Sequence, residues 1–158
     1  MPKVLGNVYI TKEESEMTQQ TTLTAEQDGI KTMLAAAGYS DKAIQYYTEK
    51  PYMGVLSDAD QCSEMTGSCG DTMEVYLKVE NGIIKDVRYQ VMGCAGAVSA
   101  AMAAVDIVKG KTLQEAKNLS DGDVFRLLEE IPVKKHHCIQ LAVKTLLKGI
   151  EEYQSNHH

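Results

Sequence analysis

The chain has 158 residues, 44% of them hydrophobic, with eight Tyr, one Phe and no Trp; this suits one domain whose core needs no disulfide support. A formal net charge of −6, with no basic stretch to offset it, argues against binding nucleic acid or an anionic membrane. No apolar run approaches the ~20 residues of a membrane span, and signal- or transit-peptide composition is lacking, so a cytoplasmic protein is expected.

In that compartment the four Cys read as metal ligands or reactive thiols, not disulfides. Residues 1–37 form an N-terminal extension. Val4 to Ile10 has some strand character, and the polar run from Thr11 to Gln20 suggests that the segment to about Leu23 is disordered or loosely docked. A helix is expected near 25–37, begun around Thr24 and stopped by Gly38. Ser40 caps the next helix, with Ala43, Ile44 and Tyr47 at core spacing and an end near Pro51. Tyr52 to Ser63 is rich in turns, with a short edge strand expected around Met53 to Leu56.

From Thr72 the pattern changes. Met73, Val75, Leu77 and Val79 alternate with polar residues, the period of a half-buried strand. Asn81-Gly82 follows, the strongest short hairpin signal because both residues tolerate positive φ. The return run, Ile83 to Val91, places Ile83, Val87, Tyr89 and Val91 on one face, with Lys85 as the odd member. Ala95 to Val108 is small and apolar almost all round, which marks a buried central helix, stopped at Gly110. Thr112 opens a short helix to Asn118 with a capping box. Ser120 caps another over Val124 to Glu129, ended by Pro132. The last helix runs from near Lys134 to about Tyr153, its inner stripe being Cys138, Leu141, Ala142, Thr145, Leu146, Gly149 and Ile150. Residues 155–158 are read as a disordered tail, with His157 and His158 set aside as a tag remnant.

The hairpin decides where the chemistry collects. Cys69 lies twelve residues before Asn81 and Cys94 twelve after Gly82, so two thiols and Asp71 meet at its open end, between Gly67, Gly70, Gly93 and Gly96. Cys94 opens a helix, where free amides and the helix dipole favour thiolate. Cys138 opens another, behind Lys134, Lys135, His136 and His137. Taken singly, each Cys is more often a small core residue than a ligand, and Cys62 reads as a spare thiol in a polar loop. Jointly, the pattern points to a soft metal or to sulfur chemistry.

These motifs resemble the U-type iron–sulfur cluster assembly scaffolds, the IscU/NifU N-terminal family. The matching pieces are Tyr39-Ser40-Asp41-Lys42, Gly67-Ser68-Cys69-Gly70-Asp71, Asn81-Gly82-Ile83, Gly93-Cys94-Ala95-Gly96, Val108-Lys109-Gly110-Lys111 and His137-Cys138. The likeness covers 38–154, the expected scaffold domain, and leaves 1–37 unmatched. The resemblance implies an α+β two-layer fold with a small antiparallel sheet of about three strands against helices. It makes Cys69, Asp71, Cys94, His137 and Cys138 the ligands of a transient [2Fe–2S] cluster, with Zn2+ as the alternative occupant. It implies a non-catalytic carrier that takes sulfur from a cysteine desulfurase and serves apo iron–sulfur proteins, as a monomer or weak dimer. The family's Leu-Pro-Pro-Val-Lys chaperone segment stands here as Ile131-Pro132-Val133-Lys134-Lys135, one proline short, so no chaperone partner is assigned. The rival readings are a zinc-bearing persulfide relay, a cysteine-dependent enzyme with Cys138 as nucleophile and His137 as base, and a structural zinc domain. Neighbouring residues at a helix start point about 100° apart, which ranks the enzyme low.

Overall fold

The computed structural model describes residues 12–157, with side chains from 25 onward. The reading of 1–11, including the strand character of Val4 to Ile10, lies outside the described residues, as does His158. Six α-helices and three strands follow in the order α1 (Lys12–Ala37), α2 (Asp41–Glu49), β1 (Gln61–Thr66), β2 (Thr72–Glu80), β3 (Ile83–Met92), α3 (Ala95–Val108), α4 (Leu113–Ala116), α5 (Asp121–Leu128) and α6 (His136–Asn156). The fold is α+β, with an antiparallel sheet in the order β1-β2-β3. Among the described residues no helix is long and apolar enough to cross a membrane.

Local chemistry explains most boundaries. The Asn81-Gly82 turn has φ of 54° and 74°, the left-handed pair that a two-residue hairpin requires. Gly38 ends α1 at φ 108°, and the side chains of Ser40, Thr112 and Ser120 each accept an amide at the start of α2, α4 and α5. Two of these caps are full capping boxes, closed by Glu115 and Asp123, so two orphan amides per helix are satisfied locally.

The sheet differs from expectation in two respects. The edge strand is Gln61–Thr66, not Met53 to Leu56. Met53 instead runs beside β3, where the Tyr89 amide donates to Tyr52 C=O at 3.0 Å and the Gly54 amide to Tyr89 C=O at 2.9 Å. This loop covers the β3 edge, which would otherwise present unpaired backbone groups. Secondly, Lys78 pairs with Asp86 and Val79 with Ile84, leaving Lys85 as an extra residue. That bulge reverses the face alternation, so Ile84 is buried while Ile83 is only half-buried.

The ends of the helical regions differ too. α1 starts at Lys12, earlier than Thr24, and α6 continues through Asn156. In α2 the buried aromatic is Tyr46, with Tyr47 half-buried. Its position is fixed by Asp106 of α3, whose carboxylate accepts from both Tyr46 and Tyr52 hydroxyls at 2.5 Å.

The core sits between sheet and helices. Every residue from Gly96 to Val105 is buried, because β3, α2, α5 and α6 all pack on α3. Small side chains allow that many neighbours to approach one helix, and alanine loses no side-chain entropy on burial. α6 lies across β1 and β2. There Gly149 faces Val75 so closely that a Cβ would stand 2.9 Å from Val75 Cγ1. Fully buried Tyr89 donates its hydroxyl to Ala142 C=O at 2.8 Å. This bond ties β3 to α6 one turn beyond Cys138, so the sheet and the first turn of α6 are held in one register.

Candidate metal and sulfur site

Three segments converge at one end of the sheet. The first is the β1–β2 connection, residues 67–71. Thr66 and Thr72 close it as paired residues, with hydroxyls 3.0 Å apart. The Gly67 amide donates to Asp71 C=O at 2.8 Å and the Gly70 amide to Gly67 C=O at 3.0 Å. Gly70 stands at φ 91°, a conformation that costs glycine little and other residues much. Cys69 is therefore at the tip of a tight turn, exposed.

The second segment is Gly93-Cys94, joining β3 to α3. Cys94 is the N-cap residue of α3 and is partly exposed. Asp71 lies directly over Gly93, where a Cβ would come within 2.7 Å of its Cγ. The third segment is the first turn of α6, reached through a 3-10 turn at Val133–Lys135. It supplies His137, half-buried, and Cys138, fully buried.

The five residues singled out in the sequence are thus brought together. Cys94 Sγ is 3.6 Å from both Asp71 Oδ2 and Cys138 Sγ, and Cys138 Sγ is 3.9 Å from Asp71 Oδ2. His137 Nε2 is 3.1 Å from Cys69 Sγ and 3.6 Å from Cys138 Sγ. Two three-donor groups result, Cys69–Asp71–His137 and Asp71–Cys94–Cys138, each with its donor atoms within 4.8 Å of one another. Asp71 belongs to both. The donors are thiolate sulfur, imidazole nitrogen and carboxylate oxygen, a set that suits zinc or iron held with sulfide.

Electrostatics separates the inner thiols. Cys94 is lowered to about 5, first by its hydrogen bond with Cys138 and further by the Ala97 amide at the start of α3, against a desolvation that works the other way. Cys138 is pushed up, first because it donates that hydrogen bond and then by burial. The pair therefore holds one proton between two sulfurs, with Cys94 as the thiolate.

Two neighbours of the site were not among the residues expected to form it. Tyr39 is 8% exposed, with its hydroxyl 3.4 Å from where a Cβ of Gly96 would be. Burial, followed by the charge of Cys94, pushes its hydroxyl up to about 12. Lys135, noted in the sequence only as a nearby charge, lays its Cβ 3.1 Å from the same Gly96 position. Nothing in the local pattern of Tyr39 points to α3; packing alone brings it there. His136, by contrast, leaves the site and packs edge-on against Phe125 with ring centroids 5.1 Å apart. Cys62 is an exposed residue of β1, opposite Tyr76, not in a loop. It lies four residues back from Thr66, about 13 Å along the strand. One expectation differs: His137 and Cys138, though adjacent, do bring nitrogen and sulfur to 3.6 Å.

A three-stranded antiparallel sheet, a buried alanine-rich helix and thiols gathered from two hairpin arms and a second helix define a small α+β protein with a thiolate–carboxylate–imidazole site. The match to the NifU-like N terminal domain covers residues 38–158, and the chain belongs to that family. IscU of Aquifex aeolicus, an iron–sulfur cluster assembly scaffold protein, is 37% identical over 120 residues, covering 73% of this chain and 75% of that one. The Escherichia coli protein of the same name is 36% identical over 122 residues, covering 74% and 94%. The crystal structure of a nitrogen-fixing NifU-like protein (N-terminal) from Brucella abortus aligns with TM-score 0.60 over 73% of this chain and 94% of that one, at 20% identity, a likeness of fold.

Proposed function

We propose that this protein is a scaffold on which a [2Fe–2S] cluster is built from iron and desulfurase-derived sulfur and from which it passes to apo-proteins. The observation that carries the reading is the sharing of Asp71 between an outer group, Cys69–Asp71–His137, and an inner group, Asp71–Cys94–Cys138. Two irons joined by sulfide need two adjacent sets of donors, and the five side chains offer them. The cluster is cargo here, not a resident cofactor. A carboxylate is a harder donor than thiolate and holds the iron of a sulfide cluster less firmly, so a site with Asp71 at its centre favours release over storage. Cys69, the exposed thiol among the five donors, is the sulfur that a donor protein reaches first. Reduced thiols and cytoplasmic residence belong to the same reading.

The second reading, a zinc-bearing persulfide relay, is favoured by Cys69 and His137 standing 3.1 Å apart, since nitrogen and sulfur with Asp71 leave zinc one open position. An enzyme using Cys138 as nucleophile is disfavoured by its complete burial. Anaerobic reconstitution with ferrous iron, cysteine and a desulfurase separates these: a visible [2Fe–2S] spectrum is expected for the scaffold. Cys94→Ala should abolish it and Cys62→Ala should leave it intact. Stoichiometric zinc with persulfide at Cys69 and no spectrum would establish the relay instead. In Asp71→Ala the cluster should decay more slowly in the presence of apo-ferredoxin; an unchanged rate would remove Asp71 from the site.

A further inference from the structure

The inner sulfurs are placed for a second kind of chemistry. Cys94 Sγ and Cys138 Sγ are 3.6 Å apart, in van der Waals contact, on two elements joined through the core. A disulfide needs ~2.05 Å, so closure brings the two sulfurs about 1.5 Å nearer. Among the described residues Cys69 has no such partner: its near neighbour is the His137 nitrogen at 3.1 Å. Cys62 is remote on β1. Access is graded as well, since Cys94 is partly exposed and Cys138 is fully buried.

We propose that Cys94 and Cys138 are a peroxide-responsive disulfide pair, with Cys94 the attacked thiol and Cys138 the resolving one. In the first step Cys94 sulfur attacks a hydroperoxide oxygen, the O–O bond breaks, and Cys94 becomes a sulfenic acid while the other oxygen leaves as alkoxide, or as hydroxide from hydrogen peroxide, and takes a proton from solvent. In the second, Cys138 sulfur attacks Cys94 sulfur, the S–OH bond breaks, and hydroxide takes the Cys138 proton to leave as water. Both sulfurs are oxidised and one peroxide is reduced; the protein gives up the single proton the pair holds, and solvent supplies the other. A disulfide sulfur is no longer a thiolate donor, so closure removes the inner group Asp71–Cys94–Cys138 and leaves the outer group Cys69–Asp71–His137. Oxidation thereby shuts the site until a thiol reductant reopens it, and sulfinic acid, which does not reverse with thiols, is avoided because the resolving sulfur is already in contact.

Closure itself does not depend on the proposed function; only its protection by metal does. The test treats the full chain, freed of metal with a chelator, with equimolar hydrogen peroxide, blocks remaining thiols with N-ethylmaleimide and maps peptides without reduction. A Cys94–Cys138 link with Cys62 and Cys69 alkylated is expected, and dithiothreitol should return four alkylatable thiols. Cys69→Ser should still form the link. Cys138→Ser should trap a Cys94 sulfenic acid reactive with dimedone; where that variant does not fold, the wild-type map decides. A dominant link to Cys69, or sulfinic acid at Cys94 without a link, would overturn the proposal. Preloading with zinc should slow linking at least tenfold. Linking that is intact but unprotected by zinc would support the pair and count against the metal-site reading.

Discussion

At the scale of single residues, the site works by sharing. Cys94 and Cys138 hold one proton between them, which has a defined consequence for stability. Below about 5 both sulfurs are protonated in the folded and the unfolded chain alike. From there up to the ordinary thiol value of 9 the unfolded chain keeps two protons and the folded one keeps one. Stability rises with pH wherever the unfolded state binds more protons, so in that window it rises. Above 9 the unfolded chain loses both while Cys138 retains its own, and the gain declines. Urea midpoints of the metal-free protein relative to Cys94→Ser should climb from pH 5 to 9; a flat difference would show that the thiolate is not held. Gly93 is equally decisive. Its missing Cβ makes room for Asp71 Cγ, 2.7 Å from where that atom would be. Gly93→Ala displaces Asp71 from both donor groups, so zinc or cobalt affinity should fall at least tenfold with little change in thermal midpoint. Retained affinity would mean that Asp71 is not a ligand.

At the scale of elements, the packing of α6 on the sheet decides where His137 and Cys138 stand. The close approach occurs at Gly149 against Val75 and Leu77, 2.9 and 3.3 Å from a Cβ position, and the Tyr89–Ala142 bond fixes the helix along its axis. Gly149→Ala overpacks a buried contact, which typically costs ~1–3 kcal/mol. Chemical denaturation should show a loss in that range, with Cys62 and Cys69 still freely alkylated. A neutral result would mean that Val75 moves aside at no cost.

At the scale of the molecule, α1 meets the body that carries the site through α2 and through Leu34, near the C-terminal end of the helix. Residues 25–33 are exposed, and among the residues whose side chains are described Leu34 is the first to enter the core. We expect a chain beginning at residue 32 to fold with a thermal midpoint within ~2 °C of the full protein, since surface changes away from the core are usually within ~0.5 kcal/mol. Its zinc affinity should be unchanged. Failure of that shorter chain to fold would make the extension part of the domain.

Much of this architecture is written locally. The β2–β3 hairpin, its Asn81-Gly82 turn, the all-round burial of α3, the inner stripe of α6 and the caps at Ser40, Thr112 and Ser120 follow from periodicity, turn chemistry and side-chain hydrogen bonding, each acting within a few residues. The hairpin also brings the arms carrying Cys69, Asp71 and Cys94 to one end of the sheet, because two arms of equal length must end together. Tertiary structure decided the rest. The Lys85 bulge exchanged Ile83 for Ile84, since one inserted residue shifts the face on which every later side chain falls. The edge strand formed at Gln61–Thr66 because the sheet needed a partner for β2 there, while Met53 served the opposite edge. Which of two adjacent histidines enters the site, which thiol meets which, and why Tyr39 lies against the start of α3 depend on how α6, α5 and the N-terminal end of the domain settle on α3. Those choices are made by burial and close packing between residues tens of positions apart, a physical constraint that no local pattern contains.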